Sequence, residues 1–235
     1  MIVFGAIAPH GDVGEIPELR AAMEELGRRF DAAAPDTAVV VTPHNVHVEG
    51  HFAVVTAARV GEWEVDRDAA QALLGSDLPV LGVSYGGNDP AEAEMPLDWG
   101  TEVPLAFMRA RRVVVVAPAR DRPLDEHLAL GRAIAALPRR LALIASADHG
   151  HAHAEDGPYG LDPAAAAYDG LFQEIVRSGR LDFRPLAEHV EAAKADSLWQ
   201  LLVLQGATGE DARAELLAYA APRYYGMAVA EVFAP

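Results

Sequence analysis

The chain contains no cysteine, which removes disulfides, thiolate metal sites and cysteine nucleophiles at once. Any metal must be held by His, Asp or Glu. Basic residues are scarce as well: 19 Lys and Arg against 35 Asp and Glu give a formal net charge of −16. Without a basic stripe to neutralise phosphates, nucleic acid and anionic membrane surfaces are poor partners. The acidic residues are spread along the chain rather than gathered into a tail. No apolar run approaches the roughly 18 residues of a membrane span. The apolar start, MIVFGAIAPHGD, has no basic residue before it and no small-residue cleavage pattern after it. The expectation is a cytoplasmic protein with no signal peptide and no membrane association.

Linkers, internal repeats and low-complexity blocks are also missing from the 235 residues, and a length of this order suits one α/β domain spanning 1–235. Strand-length apolar runs lie at 2–8, 37–42, 52–58, 79–85, 112–117, 141–147 and 224–233, bounded mostly by Gly, Pro or Asp. Helical patterns lie at 16–31, 66–74, 100–110, 125–136, 163–178, 185–205 in one or two pieces, and 210–220. Their alternation predicts a mixed or mostly parallel central sheet flanked by helices. Residues 148–162, DHGHAHAEDGPYGLD, form the one long polar loop, and loops of that size in a compact domain tend to carry function.

Nine histidines are present, and their placement says more than their number. His10 follows IVFGAIAP and His44 follows TAVVVTP, so each lies just past the carboxyl end of a predicted strand, where open α/β sheets collect ligands. The preceding proline fixes its own φ and keeps the residue before it extended, which presents the imidazole at a rigid corner. One Pro-His pair is most simply a strand terminator. Two at equivalent places point to a pair of metal ligands, brought together if their strands are parallel neighbours. A third group, His149, His151 and His153, leaves another predicted strand at its carboxyl end, and metal binding, acid/base work and plain solvation are all open to it. His47 and His51 read as part of a hairpin, and His127 and His189 as surface or helix-end side chains.

In this order, IAPHGD, VVVTPHNVHVEGHFAVVTA, LDWGTEVPLAFM, HLALGRAIA and SADHGH resemble the LigB-like superfamily of class III extradiol ring-cleavage dioxygenases, to which the Memo proteins are related. The resemblance runs over almost the whole chain. It implies two histidine ligands, which fall on His10 and His44, and an acid/base histidine, which falls on His151. It also implies a third ligand near the start of a late helix, where AAKADSLWQLLVLQGA puts Asp196, with Glu191 one helical turn earlier as the reserve. Asp12 and Asp148 are close in sequence to other site residues. Asn45, Asp98, His149 and Tyr159 are candidates for substrate contact. Relatives commonly have Asp-His-Gly where this chain has Asp98-Trp99-Gly100, which makes the pocket more apolar.

Two histidines and a carboxylate on one face of an ion are associated with non-haem Fe(II) oxygenases, although Zn or Mn also suits such donors. The activity implied is Fe(II)-dependent opening of a catechol-type or aminophenol-type ring with O2. The expected partners are a small aromatic substrate and O2, with either a homodimer, common among small enzymes, or a small second subunit, as in some relatives. A Memo-like metal-binding or redox protein without ring cleavage is the first alternative, against which stands the lack of cysteine at position 196. A zinc hydrolase is the second, and no HExxH-type motif supports it.

Overall fold

Val- and Ile-rich strands that are apolar on both faces belong in parallel sheets covered by helices. The computed structural model, which describes residues 1–86 and 89–234, has this architecture. In chain order its elements are β1 (Ile2–Ala8), α1 (Pro17–Ala33), β2 (Thr37–Val41), β3 (Phe52–Val55), β4 (Arg59–Val60), β5 (Trp63–Val65), α2 (Arg67–Leu74), β6 (Val80–Val83), β7 (Glu94–Met95), α3 (Trp99–Leu105), β8 (Arg112–Ala117), α4 (Leu124–Ala135), β9 (Leu141–Ser146), α5 (Pro163–Arg177), α6 (Val190–Ala193), α7 (Leu198–Thr208), β10 (Arg213–Ala220) and β11 (Met227–Phe233). A single mixed sheet runs β10, β11, β1, β9, β2, β8, β5, β4, β7, with β3 and β6 branching from β8. Its centre, β1, β9, β2 and β8, is parallel throughout.

Alternation along these central strands feeds two cores. Val39 and Val41, Val114 and Val116, and Leu143 and Ala145 pack with apolar residues of α2, α4, α5 and α7. The intervening Ala38 and Val40, Val113 and Val115, and Ala142 and Ile144 pack with those of α1 and α3. Helix α7 is buried all round, including Gln200 and Gln205, so it is a core helix rather than a surface one. It lies backbone to backbone against α4. A Cβ on Gly131 would stand 2.1 Å from the Val203 carbonyl oxygen, and one on Gly206 would stand 2.1 Å from that of Leu128.

Several elements differ from the sequence expectation. Residues 210–220, rich in Ala and Leu, read as a helix but contain β10, because β11 offers an antiparallel partner whose ladder outweighs local propensity. The stretch 185–205 breaks into a 3-10 turn (Arg184–Glu188), α6 and α7. The break falls at Lys194, whose left-handed backbone (φ 54°) ends α6 and releases residues up to Ser197 from helical geometry. Strands β4, β5 and β7 are two or three residues long, too short to show periodicity. His127 is fully buried, edge-on to Phe52 at 4.9 Å, and is not a surface side chain. Finally, β1 and β2 are not neighbours, since β9 lies between them. None of the helices among the described residues is long and apolar enough to cross a membrane.

The α4–α7 contact leaves no room for a methyl group. Gly131→Ala is expected to destabilise the fold by roughly 1–3 kcal/mol despite alanine's better helix propensity, read as a lower midpoint of thermal unfolding. An unchanged or higher midpoint would contradict this packing.

Candidate metal centre

At the carboxyl ends of the central strands, β1 runs into Pro9-His10 and β2 into Thr42-Pro43-His44. Because β9 separates them, the two backbones stand about two strand spacings apart, roughly 9–10 Å, and the side chains must span the gap. They do so over the end of β9. The His10 Nδ1 meets the Ser146 Oγ at 3.1 Å, and the His10 amide donates to the Asp148 Oδ1 at 3.1 Å. The two rings then meet edge to face, with Nε2 to Nε2 at 2.9 Å.

Asp196 completes the group. It lies in the break after α6, just before the α7 N-cap Ser197. Its Oδ2 is 3.6 Å from the His10 Nε2 and 3.9 Å from the His44 Nε2. One donor atom from each of His10, His44 and Asp196 falls within 4.8 Å of the others. The Asp196 Oδ1 is buried and has no hydrogen-bond partner among the described residues, an expensive state for a carboxylate oxygen unless a cation satisfies it. Glu191 is exposed on α6 and lies outside this group.

The surroundings push the two histidines in opposite directions. For His10, burial opposes the charged form, but Asp148 and Asp196 outweigh it and push its pKa up to about 9. For His44, burial and then the charge of His10 push the pKa down to about 4. A charged His10 therefore donates its Nε2 proton to a neutral His44. Burial pushes Asp196 up, yet the adjacent His10 ring holds it below the usual carboxylate range. At Asp148 burial dominates His10 and leaves the carboxyl above that range. Asp148 holds His10 from both ends, its Oδ1 on the amide and its Oδ2 3.5 Å from Nε2, while Asp196 lies within reach of both imidazoles. The shared position between two imidazole nitrogens and a carboxylate fits a divalent cation in place of the proton.

A cavity of about 580 Å³ opens over this group, and His151, Tyr159, Tyr225 and Trp99 are among its walls. His151 Nδ1 is 2.7 Å from the His149 carbonyl. A carbonyl only accepts, so Nδ1 carries the proton and Nε2 is left as the free acceptor. Tyr225 stacks on the His151 ring at 5.7 Å, and Tyr159 stands edge-on at 6.4 Å. The loop carrying His151 is held by buried Asp169, which accepts from the Gly150 amide at 2.7 Å and the Tyr219 hydroxyl at 2.6 Å and pairs with His153 at 2.8 Å.

Three sequence candidates are not among the walls of this cavity. His149 is fully buried, packed on Phe172 at 3.9 Å and bonded to Ser197 at 3.0 Å, and burial pushes its pKa down to about 4. It is a neutral core side chain, away from the cavity walls. Asp98 is a buried connector. It caps α3 through the Thr101 amide at 2.9 Å and accepts from the Thr42 hydroxyl at 2.7 Å and the Asn45 amide at 2.8 Å. Thr42 in turn accepts from the His44 amide at 3.2 Å. Asp98 and Asn45 therefore fix the His44 corner to α3, whose first residue, Trp99, lies over the His44 ring at 4.3 Å.

Other wall residues have no sequence signal of their own. Arg120 follows β8 and sits over the Trp199 ring at 4.8 Å. Tyr224 and Tyr225 read as the start of a strand but precede β11. Lys194, the chain's only lysine, is the left-handed residue that breaks the helix. Together Arg120 and Lys194 bring positive charge to a cavity that also holds Asp12, Asp148 and Asp196. Asp98→Ala is expected to cost roughly 1–3 kcal/mol by orphaning buried donors and removing a helix cap. It should also weaken metal binding tenfold or more by loosening His44. Thermal unfolding and a metal titration check both, and wild-type values in each would show that Asp98 does not position this corner.

Comparison with known proteins agrees with this fold. The chain is similar along its whole length to a solved structure, the uncharacterized protein JW3007 from Escherichia coli K12. The TM-score is 0.67 at 17% identity, and the match covers 98% of this chain and 99% of that one. Among curated proteins, Protein CA_C1420 of Clostridium acetobutylicum is 22% identical over 196 residues, 73% of this chain and 42% of the relative. This chain therefore spans less than half of that relative's length. The model of the catalytic LigB subunit of aromatic ring-opening dioxygenase matches residues 11–234, starting one residue after His10. The chain belongs to the LigB family of aromatic ring-opening dioxygenase catalytic subunits.

Proposed function

We propose that the protein is a non-haem Fe(II)-dependent extradiol dioxygenase that cleaves a catechol-type or aminophenol-type ring with O2, with His10, His44 and Asp196 as the metal ligands. The observation that carries this reading is the convergence of those three side chains, one of them with an orphaned buried oxygen, on the floor of a cavity that His151 also faces. Two histidines and one carboxylate leave coordination positions for both reactants. Fe(II), when bound, supplies the capture of adjacent ring substituents and the activation of O2. Zn(II) and Mn(II) suit the same donors, and family membership favours iron.

The protein's own groups then have distinct tasks. His151, its tautomer set by the His149 carbonyl, takes a proton from a substrate hydroxyl at Nε2 and returns it to the opened product. Imidazole suits both directions near neutral pH. Tyr159, Tyr225 and Trp99 offer flat apolar surface that orients an aromatic ring and displaces water. Tyr159 is 57% exposed and forms the outer part of that wall.

Protein loaded with Fe(II) under anaerobic conditions is expected to hold one ion per chain and to consume O2 with at least one member of a catechol and aminophenol panel, forming a ring-opened chromophore. Asp196→Ala should lose the ion. His151→Ala should retain it and lose roughly 10²–10⁴-fold in kcat. Full turnover in His151→Ala removes its acid/base role, and undiminished metal in Asp196→Ala removes the ligand assignment.

A further inference from the structure

The metal cavity shares a wall with a second one. Trp99 and His44 line both, and on the far side lies a cavity of about 380 Å³ bounded by Val46, Tyr85, Pro96 and Leu97. We infer that this second cavity is a subsite for a hydrocarbon substituent. The substrate would then be a catechol-type or aminophenol-type ring carrying a short apolar side chain that passes the edge of Trp99. The inference rests on the ring-cleavage reading above.

Three observations carry it. First, the walls are apolar and open to water: Val46 is 38% exposed, Trp99 56% and Tyr85 68%. Apolar surface gathered at one place beside a reaction cavity gains by being covered. Second, the polar residues at this cavity are already engaged. Asn45 donates to Asp98 at 2.8 Å and accepts from the Val46 amide at 2.9 Å, and Asp98 is held by Thr42 and Thr101. None of these groups is left to greet a charged substituent, and the cationic side chains Arg120 and Lys194 line the metal cavity instead. Third, the partition stands against the metal centre. Trp99 opens α3 behind the Asp98 cap, and its ring lies 4.3 Å from that of His44. A ligand ring beside His44 therefore has Trp99 next to it, and both residues also line the apolar cavity.

The test is a homologous series, catechol and its 4-methyl to 4-butyl derivatives, on Fe(II)-loaded protein. If the side chain enters the subsite, kcat/KM should rise about fourfold per methylene over the first few carbons, the fold-change equivalent to ~0.8 kcal/mol per buried CH₂. Val46→Asp and Tyr85→Ser, which alter only the second cavity, should flatten this slope and leave unsubstituted catechol unchanged. A series with no chain-length dependence, or a slope untouched by both variants, overturns the inference. Binding of the same compounds to Zn(II)-loaded protein is read separately by quenching of tryptophan emission, assigned to Trp99 with Trp99→Phe. If no compound is turned over yet affinity still climbs with chain length and flattens in Val46→Asp, the subsite stands and the dioxygenase reading falls. Flat affinities in that titration overturn the subsite as well.

Discussion

Two imidazole nitrogens held 2.9 Å apart, His10 Nε2 and His44 Nε2, set the terms for the rest of the structure. Facing lone pairs repel unless something positive lies between them, and the protein has arranged its surroundings to keep it there. Asp148 and Asp196 overcome the burial of His10 and stabilise its cationic form, and the buried Asp196 Oδ1 has no hydrogen-bond partner among the described residues. A proton meets this demand in the free chain. A divalent cation would meet it more fully, because it can bind both rings and the carboxylate together.

The fold's design follows from bringing those groups to one point. Neither histidine strand borders the other, so β9 has to end in a small residue, Ser146, that lets the rings meet above it and steadies His10. On the opposite side α7 must present Asp196 from its entry rather than from its face. The left-handed turn at Lys194 makes that entry, and the close α4–α7 contact at Gly131 and Gly206 fixes the helix behind it. Asp98 anchors the His44 corner and Asp169 the His151 loop. Both are buried carboxylates that accept several hydrogen bonds, and both act through the side chains they hold.

What the sequence made legible was local. A proline-histidine pair at the end of a Val-rich strand carries its own geometry, so His10 and His44 stood out from their neighbours alone, as did the alternation of strands and helices. Asp98 and His149 were harder because a polar residue beside a site motif looks the same whether it faces the cavity or the core. That choice is made by Thr42 and Asn45 for Asp98 and by Ser197 and Phe172 for His149, residues distant in the chain or in another element. Asp196 came from resemblance rather than spacing, since its position depends on a helix break that an Ala- and Leu-rich segment does not announce. The same long-range dependence hid β10, whose ladder is supplied by β11, and the cavity walls Arg120, Tyr224 and Tyr225.

The central claim is that His10, His44 and Asp196 close around one metal ion. Anomalous diffraction at the iron edge from crystals grown with Fe(II) under anaerobic conditions tests it most directly. The account predicts a single strong peak bonded to both Nε2 atoms and to an Asp196 oxygen. A peak held by other residues, or none there in crystals that contain iron elsewhere, would contradict it.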